Sequence, residues 1–420
     1  MSFEPKIAYC TNIHSGTDLA GVKANLSTFT LAVRRSLVES GDWRVDEELG
    51  VGLWLADSAA REVLEGDNLG NLSDWLRSNR LLPFTFNGFP QSNFHQPIVK
   101  HRVYEPTWWE KERFEYTRRL IRILDGLLPA GETGSISTLP ISWSVPEPTH
   151  QQKVQAAKNL KEIAVELDRL LQTQGREIVI AIEPEPGCAI TDGKSMRTFF
   201  EQYLLDDSHS ELVRRHISVC HDICHAAVMH EDQSQEIQAY RQAGIRIGKV
   251  QVSSAIEVDW GGMLDSERRT AFEHLSRFAE DRYLHQTMVF DATIGNYVFH
   301  EDLPELIQAT RAPELLDGIW RVHFHVPIFF EKAGPLNTTR KNIHECVDAL
   351  KLMAQSSSIT DQSQAIASFT GHLEVETYAW NVLPVGHRGT SLAEDIASEM
   401  RYLRGLLEKK VFPQPDKSVH

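Results

Sequence analysis

Short runs rich in Val, Ile and Phe alternate along the chain with longer stretches whose apolar residues recur every three or four positions, the pattern of strands followed by amphipathic helices. The runs are KIAYCTNI (6–13), LGVGLWLA (49–56), LLPFTFNGF (81–89), SISTLPISW (135–143), EIVIAIEPE (177–185), HISVCHDI (216–223), RIGKVQVSSA (246–255), WRVHFHVPIF (320–329) and HLEVETYAW (372–380). Helical stretches such as Glu110–Leu128 and His150–Leu171 lie between most of them. Strands that are apolar almost throughout, joined by helices, predict a parallel sheet covered on both faces. This many units predict an α/β fold closed into a (β/α)8 TIM barrel. The nine runs exceed by one the eight strands of such a barrel, so one of them is an extra strand. The crowding falls in 246–329, where LHQTMVFDATIGNYVFHED (284–302) reads as a hairpin about Ile294-Gly295-Asn296, inside an inserted region near 256–320. No Gly/Ser linker, charge block or repeat marks a boundary, so one domain over 1–410 with a polar tail over 411–420 is expected.

Polar residues interrupt the apolar runs near their C-terminal ends, the rim where barrels of this kind build their sites. Glu183 follows five apolar residues and precedes Pro184, and Glu185 is a second candidate on the same run. The next run ends on His221 and Asp222, with His225 one turn-like step further. Gln251, then His323 and His325, then Glu374 and Glu376 follow on the later runs, and the later member of each pair lies nearer the rim. Glu183, Asp222, Gln251 or His325, and Glu376 form a mixed oxygen and imidazole set, suited to Mn²⁺, Mg²⁺, Co²⁺ or Zn²⁺. Structural alternatives stand beside each: Asp222 can cap the following helix, and His323 reads best as a core histidine. Cys220 and Cys224 with their histidines also suggest zinc, but haem attachment fails because three residues separate the cysteines where two are needed.

The net charge of −15 excludes a whole-molecule positive field for nucleic acid. Five scattered cysteines point to free thiols, and no apolar stretch approaches a membrane span, so a cytoplasmic protein is expected. Further rim candidates for binding a substrate are His14, Asn12, Asn87, Trp143, His285 and Arg321.

These motifs resemble the xylose-isomerase-like barrels of sugar isomerases, epimerases and endonuclease IV, whose ligands run Glu, Asp, His or Gln, and Glu. IEPEPG is similar to the Glu strand, HDICH to the Asp strand, HFHV to the His strand of tagatose-type epimerases, VQVSSA to the Gln strand of hydroxypyruvate isomerases, and EVETY to the closing Glu strand. More closely, YCTNIH, TFNGFP, ISTLPISW, RYLHQ, VHFHVP and LEVETYAW in order resemble the EboE family, described as metabolite-traffic proteins. The resemblance implies a divalent-metal-dependent isomerase or epimerase of a sugar- or cyclitol-like polyol, working through an enediolate. It implies metal ligation by Glu183, Asp222, Gln251 or His325, and Glu376, a proton relay by Glu183 and Glu376, and a substrate hydroxyl polarised by His225. Partners would be the small molecule, a second copy, or proteins of the same gene cluster. A non-catalytic metabolite carrier is the competing reading. An endonuclease-IV-like phosphodiesterase needs a richer metal cluster and a basic surface.

Overall fold

The computed structural model describes residues 4–93, 95–205, 208–356, 369–381, 383 and 391–409, so the expected tail over 411–420 lies outside the described residues. The strands are β1 (Lys6–Cys10), β2 (Leu49–Trp54), β3 (Leu81–Asn87), β4 (Thr133–Thr138), β5 (Glu177–Ile182), β6 (Ile217–Asp222), β7 (Ile247–Val252), β8 (Ile256–Asp259), β9 (Thr287–Asp291), β10 (Asn296–His300), β11 (Ile319–Val322), β12 (Lys332–Ala333), β13 (Leu336–Thr338) and β14 (His372–Val375). β1 to β7 and β14 close into an eight-stranded barrel in which neighbours run parallel, β14 sealing the gap between β7 and β1. Every residue of β2, β6 and β7 is buried, as strands between helices and a filled interior must be.

The helices start and stop where local chemistry directs. His150–Gln174 opens on Thr149, whose hydroxyl and the Gln152 side chain form a reciprocal capping box, and ends at Gly175, which takes the left-handed conformation at φ 67°.

The extra strand is the run at 320–329. β11 stops at Val322 and lies antiparallel between β8 and β9 in a second, six-stranded sheet of order β10-β9-β11-β8-β13-β12. An apolar run does not disclose whether its neighbours are parallel or antiparallel. The cross-strand pair Arg321 and Glu257, 2.8 Å apart, fits an antiparallel register better than a barrel interior. The hairpin at 284–302 is present as β9 and β10 with Gly295 at φ 64°, but the excursion extends to Thr338, beyond the expected 320. Its return passes over the barrel rim: Val326 N–H donates to Ser254 O (3.0 Å) and His323 N–H to Gln286 O (2.8 Å), which fixes the extended segment carrying His323 and His325.

Behind the rim, Glu399 of the helix Leu392–Glu408 is buried and accepts from Thr377 Oγ1 (2.6 Å), Ile328 N (3.1 Å) and Trp380 Nε1 (3.1 Å). One carboxyl thus pins both loops that follow Glu376 and His325. Burial outweighs these donors and pushes its pKa up to about 7. A folded value above the unfolded one means a contribution fully present below about 4.5 and lost as pH rises through 7. Between about pH 5 and 8 the wild type should therefore lose on the order of 3 kcal/mol more stability than Glu399→Gln. Parallel denaturation profiles for the two across that range would disprove it.

Candidate metal centre

Four side chains from separate strands reach the C-terminal rim. Glu183 sits just past β5, where its N–H donates to Thr138 O of β4 (3.0 Å). Asp222 ends β6 and divides its work between two oxygens. Oδ1 accepts from His225 N (2.8 Å) and Ser253 Oγ (2.8 Å), so it does cap the following turn of helix, while the buried Oδ2 has no partner. Gln251 stands beside Asp222 in the β6–β7 register, fully buried, with both amide atoms unpartnered. Glu376 follows β14, and its Oε1 accepts from Asn12 Nδ2 (2.8 Å) and Asn87 Nδ2 (2.7 Å). Ligand atoms of Glu183, Asp222 and Glu376 lie within 4.8 Å of one another. Glu183 Oε2 is a further buried atom without a partner.

Crowding three carboxylates in a dry rim has electrostatic consequences. Burial, with the Glu376 and Asp222 carboxylates, pushes the Glu183 carboxyl well above its usual range. Burial, with Asp222 and Glu374, does the same to Glu376. For Asp222 burial works upward, but the imidazoles of His225 and His325 and its two hydrogen bonds outweigh it and hold it below the usual value. An unpaired buried polar atom costs about 1–3 kcal/mol. Glu183, Asp222 and Gln251 each bear such an atom, and with Glu376 they make an oxygen donor set that fits a hard or borderline divalent cation.

Beside them lies an imidazole cluster. His225, His323 and His325 have ring centroids 4.6 to 5.7 Å apart. His325 Nε2 is 3.8 Å from Asp222 Oδ2, and His225 Nδ1 is 3.8 Å from Glu183 Oε1. His323 and Glu185, set aside or placed second on sequence grounds, are both here: Glu185, His225 and His323 form a second group within 4.8 Å, and Cys224 approaches His323 and His325 as closely. Glu185 Oε1 accepts from Tyr104 Oη (2.6 Å) and Gln286 Nε2 (3.1 Å).

A cavity of about 540 Å³, counting the part open to solvent, rises above these groups. Asn12, Asn87, Glu183, His225, His325 and Glu376 line its floor, with Tyr104, Lys100, Tyr283 and Tyr378 on its walls. Four expected substrate contacts stand elsewhere. His14 is buried, stacked on Phe29 at 4.5 Å. Trp143 backs Tyr104 from behind at 5.1 Å. His285 is spent holding His323 O (3.0 Å) and Glu280 (3.0 Å), and Arg321 is tied to Glu257 and Ala227 O in the second sheet. A strand end alone does not say which way a side chain faces, and the wall residues came from loops and short helices with no periodic signal. Glu374, the rival of Glu376, lies deeper in the barrel, paired with the buried Lys249.

No family model matches the chain, and no curated relative does. Among solved structures, a xylose isomerase-like TIM barrel protein from Mycobacterium smegmatis in complex with magnesium is similar over 97% of this chain and 98% of its own, at 10% identity and a TM-score of 0.50. The probable 3-DHS dehydratase AsbF involved in petrobactin synthesis, from Bacillus anthracis, covers 95% of this chain and 98% of its own at 12% identity and a TM-score of 0.46. A D-tagatose 3-epimerase-like protein covers 66% of this chain and 88% of its own at 13% identity and a TM-score of 0.36. At these identities the likeness concerns the fold alone, a TIM barrel. Among the described residues, no helix is long and apolar enough to cross a membrane.

Proposed function

We propose that the chain is a divalent-metal-dependent isomerase or epimerase of a sugar- or cyclitol-like metabolite, of the EboE kind. The observation that carries the reading is the set of buried, unpartnered donor atoms, Glu183 Oε2, Asp222 Oδ2 and the Gln251 amide, at the rim with Glu376, which lines a cavity open to solvent. Glu183, Asp222, Gln251 and Glu376 hold the cation. When bound, it supplies positive charge against the negative charge that develops on the substrate oxygens. Glu183 removes the proton next to the substrate carbonyl, and Glu376, steadied by Asn12 and Asn87, returns one to the neighbouring carbon or to the opposite face. His225, on the cavity floor, holds the hydroxyl end of the substrate, and Tyr104 and Tyr378 exclude water above it.

Metal analysis of the purified protein, then solvent-proton exchange into candidate ketoses and cyclitols, tests this. Bound metal with exchange supports the reading; full loading with no exchange leaves a metabolite carrier.

Cation binding needs Glu183 and Glu376 ionised, and both carboxyls are raised in the free protein. Their folded values exceed the unfolded 4.5, so the stability they contribute is lost as pH climbs above it, and a cation restores it. Asp222, shifted the other way, is ionised throughout and adds no slope. Chelator-treated protein should therefore melt lower at about pH 8 than at about pH 6. Added cation at 100 times its Kd should contribute about 2.7 kcal/mol, with affinity rising with pH. Affinity independent of pH would contradict this ligand set.

A further inference from the structure

Arg113 stands on the first turn of the helix Lys111–Leu127 and is fully buried. Its hydrogen bonds go to backbone carbonyls and to no carboxylate: Nε donates to Pro106 O (2.9 Å) and Nη1 to Gly88 O (2.9 Å), while Nη2 has no partner. Burial lowers its pKa to about 10, which leaves it charged at neutral pH. A guanidinium compensated so incompletely is a poor contributor to stability, and an apolar side chain of similar volume would serve the core as well. The two carbonyls it chooses give the arginine another use.

They lie at opposite ends of one connection. Gly88 follows directly on β3, and Pro106 precedes the helix that carries Arg113. Between them, Phe89, Pro90, Lys100, Val103 and Tyr104 form one wall of the cavity. Beside each end stands a side chain that holds a rim carboxylate. Asn87, next to Gly88, accepts from Ser137 Oγ (3.1 Å) and donates through Nδ2 to Glu376 Oε1 (2.7 Å). Tyr104, two residues before Pro106, donates to Glu185 Oε1 (2.6 Å). Gly88 has no slack: its N–H donates to Ser137 O (2.8 Å), and a Cβ there would come within 2.5 Å of the same oxygen. A planar guanidinium holds its donors in a fixed fork, so it sets the spacing of two carbonyls as an ammonium cannot.

We propose that Arg113 is a positioning residue: it ties the two ends of the β3 connection together and thereby keeps Asn87 on Glu376 and Tyr104 on Glu185. The guanidinium reaches the cation only through Asn87, and the cavity wall only through the connection it closes. Groups that orient a metal ligand without touching the metal are worth about 10–100-fold in affinity. The effect on the cation rests on the ligand set proposed above, whereas the hold on the connection does not.

Two measurements on the full-length chain test this, manganese affinity and backbone hydrogen exchange, in wild type, Arg113→Met, Asn87→Ala and the double variant. Arg113→Met should bind manganese roughly 10-fold more weakly than wild type. The double variant should bind about as weakly as Asn87→Ala alone, because the arginine acts on the ion through that amide. In Arg113→Met, exchange over residues 95–105 should quicken by roughly 10–100-fold, the equivalent of one hydrogen bond to a charged group, while β5 and β6 exchange as in wild type. Melting curves verify that the variants fold. Arg113→Lys, which keeps the charge but reaches one carbonyl, decides if Arg113→Met does not. Unchanged manganese affinity, additive losses in the double variant, or wild-type exchange over 95–105 each overturn the proposal. If wild type binds no manganese, the ligand set falls, and exchange alone then judges the arginine.

Discussion

Glu376→Gln is expected to lose turnover by roughly 10²–10⁴-fold or more in the proton-exchange assay, while its melting temperature stays close to that of the wild type. The geometry separates the two effects. Glu376 Oε1 is the oxygen that Asn12 and Asn87 hold, at 2.8 and 2.7 Å, and a glutamine oxygen keeps both bonds. The substituted position is Oε2, which carries no such bond and lies 3.9 Å from His325 Nδ1. An amide there cannot take up or return a proton and carries no charge for a cation. Because the carboxyl is already held toward its neutral form by burial, neutralising it relieves repulsion from Asp222 and Glu374 and does not unfold the rim. A variant that exchanges protons at the wild-type rate would take Glu376 out of the chemistry.

The barrel was legible because strands covered on both faces read as largely apolar runs, and Glu183, Asp222 and Glu376 fall where those runs end, although Lys249, His372 and Glu374 are buried polar residues further down. Choosing Glu376 over Glu374 needed only the distance from the strand end, and the two do lie at different depths. The excursion was not legible. WRVHFHVPIF has the composition of a barrel strand, and only the partners of Arg321 and Trp320, far away in sequence, place β11 in the antiparallel sheet. His323 illustrates the same limit. A histidine between apolar residues is ordinarily a core residue, and its place in the rim cluster depends on Gln286 and His225, contacts made by other segments. Glu399 gave no signal at all, since its helix offers a carboxylate to the core where the pattern leads one to expect solvent.

Beneath the rim, Lys249→Met is expected to cost about 3–5 kcal/mol, the largest stability loss of any single change considered. Lys249 of β7 and Glu374 of β14 are both fully buried inside the barrel, and their ion pair is the main compensation either charge has. Lys249 Nζ also reaches Phe86 O (3.2 Å) and Ser137 Oγ (3.4 Å), contacts that can hold an ammonium but do nothing for the carboxylate. The interior is shaped to that carboxylate: a Cβ on Gly52 of β2 would come within 1.3 Å of Glu374 Oε1, which is why a strand otherwise rich in large residues has glycine there. Removing the lysine alone strands a carboxylate that no water reaches. Removing both charges together, as Lys249→Met with Glu374→Met, replaces the pair by apolar groups of similar volume and should recover most of the loss. Urea denaturation of the two single variants and the double gives the coupling directly. A double variant as unstable as the sum of the singles would mean that Lys249 contributes through packing, and that the barrel centre is held by shape and not by charge.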